Sequence, residues 1–263
     1  MDIFLIIGLI GGFLSVIVGM LVKGADVAIL LNPAAAIIIC VGTMASVMNS
    51  FPKSDFLNIP KLLGVLFKNK TNYDPVSLIT QMVDIAKETR RNGLLSLESF
   101  TETMDNTFMK TALELIMDGM DPQYVKEVLS DQIAYTEDRH RTGAMIFSTA
   151  GSSAPTLGVL GAVVGLIGAL GNLNDTVKLS HMIAAAFVAT LYGIFIGYVV
   201  CHPFASRLKR KSQVEINNMY IILEGSLAIQ AGINPKSIEI KLMTMLKLED
   251  RRRLEQNNSN NNE

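Results

Sequence analysis

Four uncharged, apolar blocks of the chain hold few side chains that could bind or transfer an ion. They cover residues 3–22, 27–52, 142–174 and 179–206, and none of them contains Asp, Glu, Lys or Arg. A protein that conducts ions across a membrane usually marks the path with an intramembrane carboxylate or base. The chain therefore either moves no ions or uses a carboxylate of another protein. The groups that remain in the blocks include the side chains of His181, His202, Cys40, Cys201 and Tyr192 and the hydroxyls of Thr43, Ser148, Thr149, Thr156 and Thr190.

The length of these blocks predicts four membrane spans. Of the 263 residues, 49% are hydrophobic and only 18% are charged, whereas a soluble domain of this size carries more charge. A helix of roughly 20 apolar residues crosses about 30 Å of hydrocarbon. Four buried helices of a soluble core are the alternative. We predict an all-α membrane protein with four transmembrane helices, a large helical cytoplasmic loop and a helical cytoplasmic tail, with no catalytic, metal, cofactor or nucleic-acid site.

The distribution of basic residues predicts the orientation. All but two of the 23 Lys and Arg residues fall in residues 53–141 or after 206; the exceptions are Lys23 and Lys178. The positive-inside rule then places the large loop, the tail and both termini in the cytoplasm of a multi-pass protein of the inner membrane. The predicted parts are 1–52 (spans one and two), 53–141 (cytoplasmic domain), 142–206 (spans three and four), 207–254 (cytoplasmic helices) and 255–263 (a disordered polar tail).

Capping residues indicate where cytoplasmic helices begin. Asp74-Pro75, Asp121-Pro122 and Asn234-Pro235 each place a capping side chain before a proline at the first helical position. No helix breaker follows Pro122 before Gly143, which predicts a long helix that continues into span three. Span four is expected to run on toward Gly232, with an interruption at Pro203.

Small residues form regular seams in two of the spans. Gly8, Gly12, Ser15 and Gly19 repeat every three or four residues in span one, and a longer series does so in span three. This spacing lets helix backbones approach closely in lipid, where no hydrophobic force drives helices together. We expect a partner helix against the span-three seam; scattered membrane glycine is the alternative. The seam consists of Gly151, Ala154, Gly158, Gly161, Gly165 and Gly168.

Four motifs resemble the MotA family of flagellar motor stator proteins. They are "LLNPAAAIIICVGT" (30–43), "ETRRNGLLSLES" (88–99), "SAPTLGVLGAVVGLIGAL" (153–170) and "EGSLAIQAGINPKSIEIKLMTML" (224–246). The related ExbB and TolQ energisers share the packing of spans three and four but have three spans and lack the last motif. The resemblance implies a homo-oligomeric, pentameric ring around MotB, whose single transmembrane helix supplies the ion-binding aspartate. Ion flow through this channel would drive torque on the rotor protein FliG and so power motility.

The resemblance also implies roles for individual residues. The charged pair that faces FliG matches Arg90 and Glu98, and the prolines tied to torque generation match Pro155 and Pro203. Thr190 matches a hydroxyl that faces the ion site. The alternatives are a solvated helix face for the charges, an ordinary kink and helix break for the prolines, and a hydroxyl bonded within its own helix for Thr190.

Ala162 bears on the transported ion. Sodium-driven relatives tend to have threonine there, and a dehydrated sodium ion needs several oxygen ligands. The alanine therefore favours protons. The alternatives that remain are a sodium-driven stator, an ExbB/TolQ-like energiser of another membrane process, a passive membrane scaffold and a self-sufficient channel or transporter.

Overall fold

The computed structural model describes residues 3–68 and 74–260, and this part of the chain is helical, with no strand. It confirms the predicted all-α fold with four helices long and apolar enough to cross a membrane. Residues 69–73 of the predicted loop and 261–263 of the predicted tail lie outside the described residues. The α-helices are α1 (Ile3–Val22), α2 (Pro33–Ser50), α3 (Lys53–Phe56), α4 (Ile59–Phe67), α5 (Pro75–Asn92), α6 (Glu98–Thr103), α7 (Thr107–Met117), α8 (Pro122–Leu170), α9 (Thr176–Ile194), α10 (His202–Gln230), α11 (Pro235–Met243) and α12 (Leu248–Asn260).

Helix starts follow the capping pattern read from the sequence. The Asp74 carboxylate accepts a hydrogen bond from the backbone N–H of Ser77, and α5 begins at Pro75. The equivalent carboxylate of Asp121 accepts from Gln123 at the start of α8. Each cap satisfies a backbone donor that has no partner within the helix, and the proline that follows has no donor to lose.

The third and fourth spans are the apolar parts of two long helical stretches. The 49 residues of α8 run without a break and include Pro155, as the absence of breakers after Pro122 predicted. The fourth span contains α9, a π-helical segment at Phe195–Cys201 and the start of α10. The expected helix break at Pro203 is wrong. The chain stays helical because His202, the last residue before the proline, still donates to the carbonyl of Gly197 in a wider turn.

The chain divides into two compact units. The first contains the spans, with residues up to 69 and 140–210. In it α3 and α4 join the span helices, although the sequence assigned residue 53 onward to the cytoplasmic domain. The reason is the apolar face of α4: Leu66 is fully buried, and the Phe67 ring lies 6.2 Å from that of Phe204, which also contacts Phe147 at 5.8 Å.

The turn between the first two spans is held against the fourth span by hydrogen bonds. The Tyr192 hydroxyl donates to the carbonyl of Leu30, and the side-chain amide of Asn32 donates to the carbonyl of Ala185 at 3.5 Å. Asn32 also caps α2 by accepting from Ala35. One short turn therefore positions three helices.

The second unit, residues 70–139 and 211–263, has its own apolar core. Buried side chains of α5, α7, α8 and α10–α12 meet there, as the spacing of apolar residues in α5 requires. Gly225 of α10 permits a close approach, because a Cβ atom at that position would lie 2.6 Å from the Met82 side chain of α5. The last helix, α12, extends to Asn260 and so reaches into the segment predicted to be disordered. Fully buried members of this core include Ile79, Met82, Ile85, Leu113, Ile116, Leu129, Ile133 and Leu242.

Candidate functional site

The small-residue seam of the third span faces the fourth span of the same chain. A Cβ atom on Gly158 would lie 3.0 Å from the Ala189 carbonyl oxygen and 3.2 Å from the Cα atoms of Gly193 and Thr190. Gly193 in turn has its backbone against the Ala154 carbonyl. Backbone therefore meets backbone, and no side chain can move aside to admit a larger residue.

The rest of the seam contacts small or mobile side chains of the fourth span. Gly161 and Gly165 face Ala189 and Ala186, and Gly168 faces the end of the Met182 side chain. The expectation that a helix of another protein lies against this seam is wrong, because the fourth span already occupies it. The spacing of small residues indicated a close approach but carried no information about which helix makes it.

The seam of the first span is mostly open. A Cβ atom on Gly12 would lie 2.6 Å from Val199, whereas Gly8 and Gly19 have nothing within 4 Å. Ser15 donates its hydroxyl to the Gly12 carbonyl in its own helix. In this chain, only the middle of that seam is packed.

The two prolines matched to torque generation lie in different surroundings. Pro155 is partly buried inside α8 and removes the N–H donor that would reach the Gly151 carbonyl. That carbonyl faces Gly197 instead, where a Cβ atom would lie only 2.6 Å from the oxygen. Only a residue without a Cβ atom fits at position 197, because the carbonyl that Pro155 leaves without its usual donor lies so close to it. Pro203 is exposed, directly after the π-helical segment.

Thr190 bonds across to the third span. Its hydroxyl lies 3.4 Å from the carbonyl oxygen of Gly158, a long hydrogen bond between helices. The alternative of a bond within its own helix is wrong, because Gly158 brings the two backbones close enough for the threonine to reach across. Ala162, four residues after Gly158, is partly buried.

Hydroxyl groups of the second span are further polar groups of this unit. Ser46 and Ser153 are hydrogen-bonded at 2.8 Å and connect the second and third spans. The Thr43 hydroxyl is buried and has no partner among the described residues. Sequence reasoning did not single out Ser46, because its partner is 107 residues away. No group of side chains in the described part of the chain could hold a metal ion.

Arg90 and Glu98 are both exposed on the second unit. Arg90 lies in the last turn of α5 and Glu98 begins α6, with Gly93 and a short 3₁₀ helix (Leu94–Leu97) between them. Gly93 has a φ of 83°, a conformation that side chains with a Cβ rarely adopt, so the reversal of the chain depends on it. Neither charge takes part in an ion pair among the described residues.

Comparison with known proteins identifies the family. Residues 100–221 match the model of the MotA/TolQ/ExbB proton channel family. The chain is 44% identical over 246 residues to Motility protein A of Bacillus subtilis (strain 168), which covers 94% of this chain and 91% of that protein. The chain belongs to this family of channel proteins. The resemblance to MotA seen in the sequence is thereby confirmed.

Other members of the family match over a similar length. Chemotaxis protein PomA of Vibrio alginolyticus is 34% identical, with 97% of this chain and 99% of that protein covered. The structure also superimposes on a chain of the flagellar MotAB stator complex from Bacillus subtilis, with a TM-score of 0.89, 44% identity and coverage of 94% of this chain and 97% of that chain. For C. jejuni MotAB the TM-score is 0.91, the identity 30% and the coverage 96% and 98%.

Replacing Gly158 by leucine tests the contact between the third and fourth spans. The leucine side chain would have to displace backbone atoms. We therefore expect Gly158→Leu to lower the free energy of unfolding by about 1–3 kcal/mol, as in an overpacked core. Thermal unfolding of the purified protein and its amount in the membrane measure this. Gly19→Leu is the control, because Gly19 faces open space in this chain. Equal melting temperatures of the Gly158→Leu variant and the unaltered protein would refute the contact.

Proposed function

We propose that the chain is a stator subunit of the bacterial flagellar motor that forms an ion channel together with MotB. The observation that carries this is the match to two MotAB stator complexes along nearly the whole chain, at TM-scores of 0.89 and 0.91. The match includes both units, so it extends beyond the part that the family model covers.

The missing carboxylate supports the need for a second chain. None of the four apolar blocks contains Asp or Glu, and a charge in hydrocarbon is costly enough that ion-conducting proteins place it deliberately. MotB would supply it. Since the third-span seam is filled by the fourth span, the MotB helix would contact the face that Pro155 and Thr190 leave partly exposed.

The chain would assemble as a pentameric ring around MotB, with both termini in the cytoplasm. Large apolar side chains of the spans remain exposed in the single chain, among them Phe13, Leu160 and Phe187. Lipid and neighbouring copies of the chain would cover them. The third and fourth spans would form the inner wall, because they carry the residues matched to the ion path.

The rotor contact would be made by Arg90 and Glu98 with FliG. Both side chains are exposed and free of ion pairs in the described chain, so neither is used to stabilise its own unit. Protons would drive the motor, since Ala162 offers no oxygen ligand for sodium.

An ExbB- or TolQ-like energiser of another membrane process is the second candidate. The family description includes those proteins, and the contact between the third and fourth spans would serve either function. The motif at 224–246, which forms the end of α10 and all of α11, favours the stator.

Co-purification tests the proposed function. A tagged chain expressed in a flagellated host that lacks its own stator subunit should purify with MotB and restore swimming. Replacing the intramembrane aspartate of MotB by asparagine should abolish swimming and leave the complex intact, because the charge is needed for ion transfer and not for packing. Swimming in a host without MotB, or a chain that purifies without it, would contradict the proposal.

Charge reversal tests the rotor contact. Arg90→Glu and Glu98→Lys should each slow swimming, since an exposed ion pair contributes only about 0.2–1 kcal/mol and partial loss is expected. The amount of MotB complex in the membrane should not change. Arg91→Glu and Glu102→Lys are matched controls, because these two charges are also exposed and lie in the same unit but were not matched to the rotor contact. A reversed charge on FliG should partly restore speed; unaltered swimming in both variants would remove these residues from the contact.

Replacing the driving ion tests the proton assignment. Swimming speed should persist without sodium and collapse with a protonophore, because the channel would need only a carboxylate and a water path. Ala162→Thr alone should not convert the channel to sodium, which needs several ligands. Loss of swimming on sodium withdrawal, at constant pH gradient and membrane voltage, would show that sodium and not protons drives the motor. The proposed stator function would not be affected.

A further inference from the structure

Hydroxyl side chains gather in one half of the third span. Ser148, Thr149, Ser152 and Thr156 lie on α8 before the middle of the span, and residues 157–170 contain no hydroxyl at all. Ser152 and Thr156 are exposed in the single chain, and the other two are half-buried. The exposed side chains of residues 157–170 are all aliphatic; they are Val159, Leu160, Val163, Val164, Leu166, Ile167 and Leu170. The exposed face of the span therefore changes from polar to apolar just after Thr156.

The exposed hydroxyls can still accept hydrogen bonds from another molecule. Ser152 donates to the carbonyl of Ser148 at 3.1 Å, and Thr156 donates to the carbonyl of Ser152 at 3.3 Å. A hydroxyl has one donor and two acceptor lone pairs, so both oxygens keep their acceptor capacity. Bonds within the helix allow a hydroxyl to face lipid, but they do not explain why such residues occupy only one half of the exposed face.

A histidine of the fourth span lies beside the same half of the third span. The ring of His202 packs on Gly151, where a Cβ atom would lie 2.9 Å from Nδ1. The centroid of the Tyr198 ring lies 5.3 Å from that of His202, and neither ring nitrogen of His202 has a hydrogen-bond partner among the described residues. Bound water needs two to four polar partners. The imidazole and the hydroxyls of α8 provide such partners within one short stretch of the spans.

We propose that these four hydroxyls, the hydroxyl row (Ser148, Thr149, Ser152 and Thr156), line a chain of water molecules through which protons leave the channel, and that the aliphatic half of the span is dry. The inference rests on the proposed function, because the protonated carboxyl group of MotB is the source of the proton. That group releases its proton to the water beside Thr156, each water accepts one proton and passes on another, and the last one releases a proton at the end nearest Arg141. The basic residues predict that this end is cytoplasmic, and the carboxylate is regenerated.

The hydroxyl row begins where the MotB helix is proposed to lie. Pro155 follows Ser152 by three residues and so lies on the same side of α8; it is partly exposed, as is Thr190 of the fourth span. A proton that leaves a carboxylate on this side meets the hydroxyls of Ser152 and Thr156 first. In the other direction it meets only aliphatic side chains, such as that of Val163. The two halves of the exposed face therefore give the proton one way out.

Cysteine accessibility in the complex with MotB tests the proposal. Ser152→Cys and Thr156→Cys are each made in a variant without the two cysteines of the chain, and everted membrane vesicles are treated with a charged thiosulfonate reagent. The reagent reacts with the thiolate, which forms in water, so both thiols should react at least about tenfold faster than the controls. One control is Ser15→Cys, since Ser15 is an exposed serine of the first span whose hydroxyl bonds within its own helix. The other is Val163→Cys in the aliphatic half.

The outcomes separate this inference from the proposed function. Fast reaction at positions 152 and 156, with slow reaction at 15 and 163, supports it. Equal rates at 152 and 15 overturn it, because the hydroxyls then face lipid or a dry contact with another helix. Fast reaction at 163 also overturns it, because the aliphatic half is then wet. Slow reaction at 152 and 156 in a complex that contains MotB refutes this inference alone, whereas a chain that purifies without MotB refutes the proposed function and with it the source of the proton.

Two substitutions of Thr156 give a second measurement. Thr156→Val removes the hydroxyl at nearly constant volume and should lower swimming speed about two- to tenfold, the range for the loss of one hydrogen bond. Thr156→Ser keeps the hydroxyl and should swim at normal speed, as should the control Ser15→Ala. All three variants should form the MotB complex in normal amount. Normal speed with Thr156→Val, or equal slowing with Thr156→Ser, would contradict a role for the hydroxyl.

Discussion

The contact between the backbones of the third and fourth spans determines most of the first unit. At Gly158, Ala154 and Gly193 the two helices approach until carbonyl oxygens of one meet Cα atoms of the other. In lipid, apolar side chains gain no transfer free energy when two helices associate, because the surrounding hydrocarbon is equally apolar. Association therefore depends on dispersion contacts and weak hydrogen bonds between closely placed backbones. Small residues on both helices are therefore a requirement. The position of Thr190 and the contact of the Gly151 carbonyl with Gly197 both follow from this approach.

The same contact accounts for the polar chemistry of the spans. Thr190 donates its hydroxyl to the Gly158 carbonyl and Ser46 is hydrogen-bonded to Ser153, whereas the buried hydroxyl of Thr43 has no partner among the described residues. A carboxylate in this tightly packed, apolar wall would have no counter-ion from the chain itself, since the spans contain no Lys or Arg. Under the proposed function, this chain would supply the rigid wall and MotB the charge, so that one pair of helices would not have to provide both.

Sequence patterns were sufficient for the elements that depend on local physical chemistry. The length of the apolar blocks predicted the four spans, and capping residues predicted the starts of α5, α8 and α11. The absence of helix breakers predicted the length of α8. Features that depend on residues far apart in the chain were not accessible. The spacing of small residues in the third span predicted that a helix packs closely there, but it did not indicate that this helix is the fourth span. The packing of α4 on Phe147 and Phe204 and the buried, unpartnered hydroxyl of Thr43 arise only after folding.

The π-helical segment keeps the buried stripe of the fourth span on one side. Ala189, Gly193, Gly197 and Cys201 are all buried and follow one another at intervals of four residues. In an ideal α-helix each such step would carry the stripe about 40° around the axis, since a turn has 3.6 residues. The wider turns of Phe195–Cys201 counter this drift. One local change of helical pitch thus keeps buried residues that are spaced four apart on one side of the fourth span.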